Sequence, residues 1–150
     1  RESGAELSPD SLWGIALGGI PYVRLERDSL ATKATAFAGM RVRGKICYFS
    51  YPQEVSRQVE IKAYNPVTGR PFRSGFVDRT ETVTRERMLD FRSGRVLAFN
   101  PENFLEWIQD DPQLQRTVRA LSPGEVQEKL FRCLLIYVDR NAVYLAPRER

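Results

Sequence analysis

The sequence contains no histidine. That absence removes Ser-His-Asp and Cys-His catalysis, since both rely on an imidazole to take the nucleophile's proton near neutral pH. Cysteine is nearly as scarce: Cys47 and Cys133 are the only two, far apart and outside any metal spacing. With two thiols and no imidazole a Cys/His zinc site cannot be assembled, which leaves only carboxylate-built calcium or magnesium sites open. There is no glycine-rich phosphate loop, because Gly18-Gly19 runs into Ile-Pro-Tyr rather than into a helix. No cofactor is expected. Long apolar runs are missing too, the longest uncharged one being Cys133–Val138, far short of the roughly 20 residues a membrane helix needs. The chain begins at Arg1 rather than at methionine, as a processed exported protein or an excised piece would.

Lysine occurs only at 33, 45, 62 and 129, and arginine carries the rest of a net charge of +4 and a pI near 9.3. Arginine's planar fork suits phosphate. The 19 acidic residues are nevertheless interspersed among the basic ones, which favours a mixed solvated surface over a nucleic-acid footprint. One basic pattern stands apart. Arg41, Arg43 and Lys45 alternate along one stretch, and Arg85 and Arg87 alternate along another. Brought side by side they would make a candidate polyanion-binding face, unless Glu60 and Glu86 neutralise it.

The stretch Phe37–Tyr51, FAGMRVRGKICYFSY, reads as one strand ending at Pro52. Met40, Val42, Ile46 and Tyr48 share one face. Arg41, Arg43 and Lys45 open the other, which then turns apolar at Cys47, Phe49 and Tyr51. Such a strand starts half-solvated and finishes buried on both sides, and Gly44 at the changeover predicts a bend or bulge.

Ser11–Leu17 and Ile20–Glu26 alternate and are joined by Gly18-Gly19, which predicts an N-terminal hairpin with Pro21 at an edge or just before its second strand. Arg27–Ala36 reads as a loop. Val59, Ile61 and Ala63 mark a half-buried strand stopping at Asn65-Pro66. NPVTGRP is a turn with a left-handed Gly69, before a strand near Phe72–Val77. A second turn of the same kind, DFRSGRV, joins Thr82–Phe91 to Arg95–Phe99. The two share a generic hairpin signature, which does not amount to an internal repeat.

Beyond Phe99 the pattern changes to three cap-plus-proline pairs, Asn100-Pro101, Asp111-Pro112 and Ser122-Pro123, each a helix start. Phe99 with Phe104 and Leu121 with Val126 occupy staple positions, and Ser122 with Glu125 completes a capping box. The first helix presents Phe104, Leu105, Trp107 and Ile108, and the second Leu114, Val118 and Leu121. The third carries Val126, Leu130, Cys133, Leu134 and Tyr137 as one stripe, widened by Phe131, Leu135 and Val138. A terminal hairpin of Cys133–Val138 and Ala142–Leu145 around Arg140-Asn141 is the alternative, and the unbroken cap and stripe favour the helix.

Strands first and helices afterwards predict one α+β domain over 1–150: a curled antiparallel meander of about six or seven strands within 1–99, three helices packed on it within 100–140, and an extended tail at 141–150. Burial of both cysteines would raise rather than lower their thiol pKa, which speaks against a cysteine nucleophile. A Cys47–Cys133 disulfide tying the long strand to the last helix stays open. Among carboxylates, Asp110-Asp111, Glu102 with Glu106, and Asp78 with Glu81 are candidates for a hydrolase, which needs two acids facing across a cleft. Trp13, Tyr22, Tyr48, Tyr51 and Tyr64 could stack on bases or sugars, although aromatics on strands more often pack in cores or at edges.

DSLWG (Asp10–Gly14), VRGKICYF (Val42–Phe49), LDFRSGRVLAF (Leu89–Phe99), FLEWIQDDPQL (Phe104–Leu114) and NAVYLAP (Asn141–Pro147) together resemble uncharacterised exported domains of anaerobic Gram-negative bacteria. In those, a D-x-x-[ST]-G-[KR] hairpin precedes a helix ending near an acidic-Pro pair and then a final helix. The resemblance implies export to the periplasm or cell surface, where a disulfide could persist. It transfers no catalytic residue. The resulting expectation is a non-enzymatic exported domain acting through a protein or envelope component, with polyanion binding by the basic strand face as the alternative and a carboxylate hydrolase as the second.

Overall fold

The computed structural model describes residues 14–25 and 37–143. Trp13, the Arg27–Ala36 loop and most of the C-terminal tail lie outside the described residues. Six strands, β1 (Gly14–Leu17), β2 (Ile20–Arg24), β3 (Phe37–Val42), β4 (Ile46–Tyr64), β5 (Pro71–Asp90) and β6 (Val96–Ala98), form one antiparallel sheet in chain order, curled into a half-barrel. Three helices follow, α1 (Pro101–Trp107), α2 (Pro112–Arg119) and α3 (Pro123–Arg140). The expected α+β meander with three C-terminal helices is therefore present.

Local chemistry accounts for most element ends. Gly18 and Gly19 have φ of 56° and 78°, the left-handed pair that a two-residue hairpin turn requires. The two longer turns share one construction. In each the first residue's carbonyl accepts from the glycine amide at 2.8 Å, Asn65 from Gly69 and Asp90 from Gly94. Each first side chain also accepts from two amides inside its turn, Val67 and Thr68 for Asn65, Arg92 and Ser93 for Asp90. All three cap-plus-proline pairs start helices: Asn100 accepts from the Asn103 amide at 2.8 Å and Asp111 from the Leu114 amide at 2.9 Å. At α3 the Glu125 carboxylate turns back to accept the Ser122 amide at 3.0 Å, the reciprocal bond of a capping box. The apolar run Cys133–Val138 lies within α3, so the terminal hairpin does not form.

Three strand boundaries differ from the sequence expectation. Phe37–Tyr51 is two strands, because the chain reverses at Arg43-Gly44-Lys45. Three turn residues leave the apparent period of two intact, so the reversal is silent in the pattern. A register shift between Met40 and Val42 also puts Met40 with the opposite apolar cluster from Val42. Next, β4 runs straight through Pro52. Phe91 donates to the Lys45 carbonyl, so odd-numbered residues of β4 bond to β5 and Pro52, opposite Thr84, presents its missing donor to the other side. Lastly, Phe72–Val77 and Thr82–Phe91 are parts of the single 20-residue strand β5.

The sheet is covered on both faces near its base. Val42, Ile46, Tyr48 and Met88 meet Phe104, Ile108, Leu114, Val118, Leu130, Cys133, Leu134 and Tyr137 of the helical layer. On the other face Val23, Ala38, Cys47, Phe49 and Leu89 form a second cluster, with Leu25, Met40 and Tyr51 at its margin. The third helix buries Leu130, Cys133, Leu134 and Tyr137 of its expected stripe and half-buries Val126, but Leu135 points out at 44% exposure.

Gly44 is the tight point between the layers. A Cβ placed there would overlap Val138 Cγ1 of α3. Gly44→Ala is therefore expected to cost about 1–3 kcal/mol through overpacking. Val138→Ala in the same chain should recover part of that loss in urea unfolding, and strict additivity of the two changes would show that the contact is not the cause.

Candidate functional site

The basic row does not assemble. Arg41 lies at the bulge of β3, while Arg43 and Lys45 sit in the β3–β4 turn, where each is pinned. Arg43 donates to the Gly19 carbonyl at 3.1 Å, tying the turn to the first hairpin. Lys45 reaches Asp110 at 2.7 Å. Arg85 and Arg87 are cross-strand from Tyr51 and Phe49, on the face of the second cluster. There Arg85 donates to Gln53 at 2.6 Å and Arg87 lies 5.9 Å from the Tyr51 ring centre. The polyanion face expected from Arg41, Arg43, Lys45, Arg85 and Arg87 is thus divided among the bulge of β3, the β3–β4 turn and the second-cluster face of β5. Alternation gives Arg41, Arg43 and Lys45 a common face only along one continuous strand, and the chain reverses at Gly44 instead.

Lys45, Asp110 and Tyr137 make the best-connected polar cluster at the base of the sheet. Tyr137 donates to Asp110 at 2.9 Å, and Lys45 Nζ lies 5.3 Å from the Tyr137 ring centre. Hydrogen bonding to Asp110 raises the Lys45 pKa, the bond from Lys45 holds the Asp110 carboxyl below its ordinary value, and burial pushes the Tyr137 hydroxyl up. These directions keep Lys45 and Asp110 as an ion pair, which ties the β3–β4 turn to the segment between α1 and α2. An open cleft of about 710 Å³ lies beside it, lined by Lys45, Asp90, Arg92, Arg95, Trp107 and others.

Three of the remaining carboxylate candidates are engaged elsewhere. Asp111 caps α2 and accepts from Arg140 at 2.9 Å, while Glu106 pairs with Arg95 at 3.0 Å. Asp78 and Glu81 fall on opposite faces of β5 by alternation, and Glu81 lies 3.7 Å from Arg57. None of these forms a facing pair, and among the described residues no group of three or more potential ligands could hold a metal ion. Tyr48 is buried between Phe99 and Phe131 and donates to Glu86 at 2.5 Å; burial, then that bond, raises its pKa. Tyr51 stacks on Phe49. Cys47 and Cys133 are both free and lie in different clusters on opposite faces of the sheet, so the disulfide left open by the sequence is not made. Burial raises both thiol pKa values.

The feature that sequence reading missed is the outer part of the β4–β5 hairpin. Gln53 is the last buried residue of β4, and from 56 to 80 every residue except Asn65 is exposed. The ladder continues unbroken in register from Ile46↔Asp90 to Ala63↔Arg73. At about 3.3 Å per residue, Gln53 to Tyr64 carries the hairpin roughly 36 Å outward as a two-stranded arm. Among the described residues, no third strand pairs with it there. The clue in the sequence was the absence of a turn signal between Val77 and Thr82. These features define an α+β domain: a half-barrel sheet braced by three helices and bearing a projecting hairpin arm. No family model, curated protein or solved structure matches the chain.

Two predictions follow from these contacts. Intact mass should be the same with and without reductant, and a thiol reagent should label both cysteines promptly only after unfolding. The Lys45–Asp110 pair is 43% and 48% exposed, so it contributes no more than about 1 kcal/mol. Because the Asp110 pKa is lowered in the fold, its contribution is complete above the ordinary carboxylate range and is lost as pH falls through that lowered value. Asp110→Asn should flatten the acid limb of a melting-temperature profile and leave its slope between pH 6 and pH 8 unchanged.

Proposed function

We propose that this is a non-enzymatic interaction domain of an exported protein, in which the helix-braced sheet is a base and the hairpin arm engages a protein or envelope component. The carrying observation is the arm itself, a rigidly registered ribbon that leaves Val59, Ile61, Phe72, Phe76 and Val77 exposed. Exposed apolar surface of this extent, rimmed by charge, is characteristic of interaction sites, and loops or arms without a packing role commonly carry function. Neither buried cluster contains an arm residue from 56 to 80, so the base does not depend on the arm for its cores. Export is supported by the sequence resemblance.

The test is capture from the envelope fraction of the source organism, using the whole chain and a variant whose arm is shortened to the Val55–Glu81 pair, a hydrogen-bonded one, and closed with Asn-Gly. Capture of the same components by both, with the shortened variant folded by circular dichroism, would remove the arm from the function. Loss of specific components on shortening is the expected result.

A further inference from the structure

The tip of the arm has a chemistry that selects among partners. We propose that it docks on an anionic lipid surface, entering the headgroup layer with its turn foremost. This rests on the interaction reading above and names the partner.

Four observations carry it. The outermost apolar residues are strongly exposed, Val67 in the turn at 90%, Phe76 at 72% and Phe72 at 70%, with Tyr64 at 57% and Ile61 at 54%. They are not confined to one face. Val59 is cross-strand from Val77, with Ile61 next on that face, while Phe76 stands opposite Glu60 on the other. A flat protein surface or a second copy laid on one face would leave the other apolar face in water. An enveloping medium covers both.

Charge supplies the third observation. From Ile61 to Phe76 the sequence holds Lys62, Arg70 and Arg73 and no Asp or Glu. Lys62 lies 3.5 Å from Glu60, so Arg70 and Arg73 lead the positive charge of the tip. Apolar and aromatic groups beside cations are what an anionic headgroup layer binds, through buried apolar area together with electrostatic attraction. Finally, the turn is closed on itself. Asn65 accepts from the Val67 and Thr68 amides, and its own amide donates to the Arg70 carbonyl at 2.9 Å, so the foremost backbone leads with internal bonds already made. Among the described residues no strand pairs with the edges behind it, which restricts entry to the interface, since unpaired backbone groups are not tolerated in hydrocarbon.

Sedimentation with vesicles tests this, comparing phosphatidylglycerol-rich vesicles with pure phosphatidylcholine. The whole chain is expected to sediment with the former and far less with the latter. Arg70→Glu with Arg73→Glu should weaken binding at least about thirtyfold, from roughly fivefold per cation near an anionic surface. Val67→Asp, and separately Phe72→Ser with Phe76→Ser, should abolish it. All of these positions are exposed, so unchanged urea unfolding is the control. Failure of the wild-type chain to bind anionic vesicles, or equal binding by the Val67 and Phe variants, overturns the proposal. So does a concentration-dependent dimer that the same variants dissolve in the absence of vesicle binding. In that last case, or where envelope capture still depends on the arm, the interaction reading stands while the lipid partner falls.

Discussion

The burial of four consecutive residues, Ile46 to Phe49, is the constraint on which the rest of the molecule depends. A strand can bury consecutive side chains only if both of its faces are covered, because they alternate between faces. Ile46 and Tyr48 require the helical layer; Cys47 and Phe49 require the curl of the sheet and the cluster of Val23, Ala38 and Leu89. The meander, the three helices and the tight turn at Gly44 are the means by which one short segment obtains two covers.

The turn at Gly44 joins those two covers. It packs under Val138, takes the Arg43 bond to the first hairpin, and fixes Lys45 on the segment between α1 and α2. Residues that read as a cationic patch are in effect fasteners. Exposed ion pairs contribute little stability each, so their consequence is positional: they tie the residues just before β4 to the first hairpin and to the helical layer. From there β4 and the 20-residue strand β5 extend past the last contact with the core.

Base and arm follow opposite rules. In the base, among the described residues, no buried side-chain nitrogen or oxygen lacks a hydrogen-bond partner, and two apolar clusters are enclosed, one on each face of the sheet. On the arm, apolar groups are displayed and no described strand pairs with the two edges. Long flat edges are hazards that natural sheets usually cover or blunt. Keeping one fits a surface meant to meet something.

The sequence by itself determined the features whose causes are local. Asn100, Asp111 and Ser122 start helices because a side chain and a proline within one turn suffice, and Gly18, Gly19, Gly69 and Gly94 close turns because their own φ angles demand it. The α+β class followed from the order of those signals. What only tertiary structure decided is which residues meet. A valine from α3 leaves no room for a side chain at position 44 of the reversal, and the bulge between Met40 and Val42 exchanges faces that a strict alternation would keep. The basic row was scattered because four of its members engage separate partners, Arg43 the Gly19 carbonyl, Lys45 Asp110, Arg85 Gln53 and Arg87 the Tyr51 ring. Pro52 looked like a stop because a missing donor is harmful only where a neighbouring strand needs it. The arm was invisible for a related reason: a half-buried strand and a fully exposed ribbon share the same period of two, and only the position of the remaining layers distinguishes them.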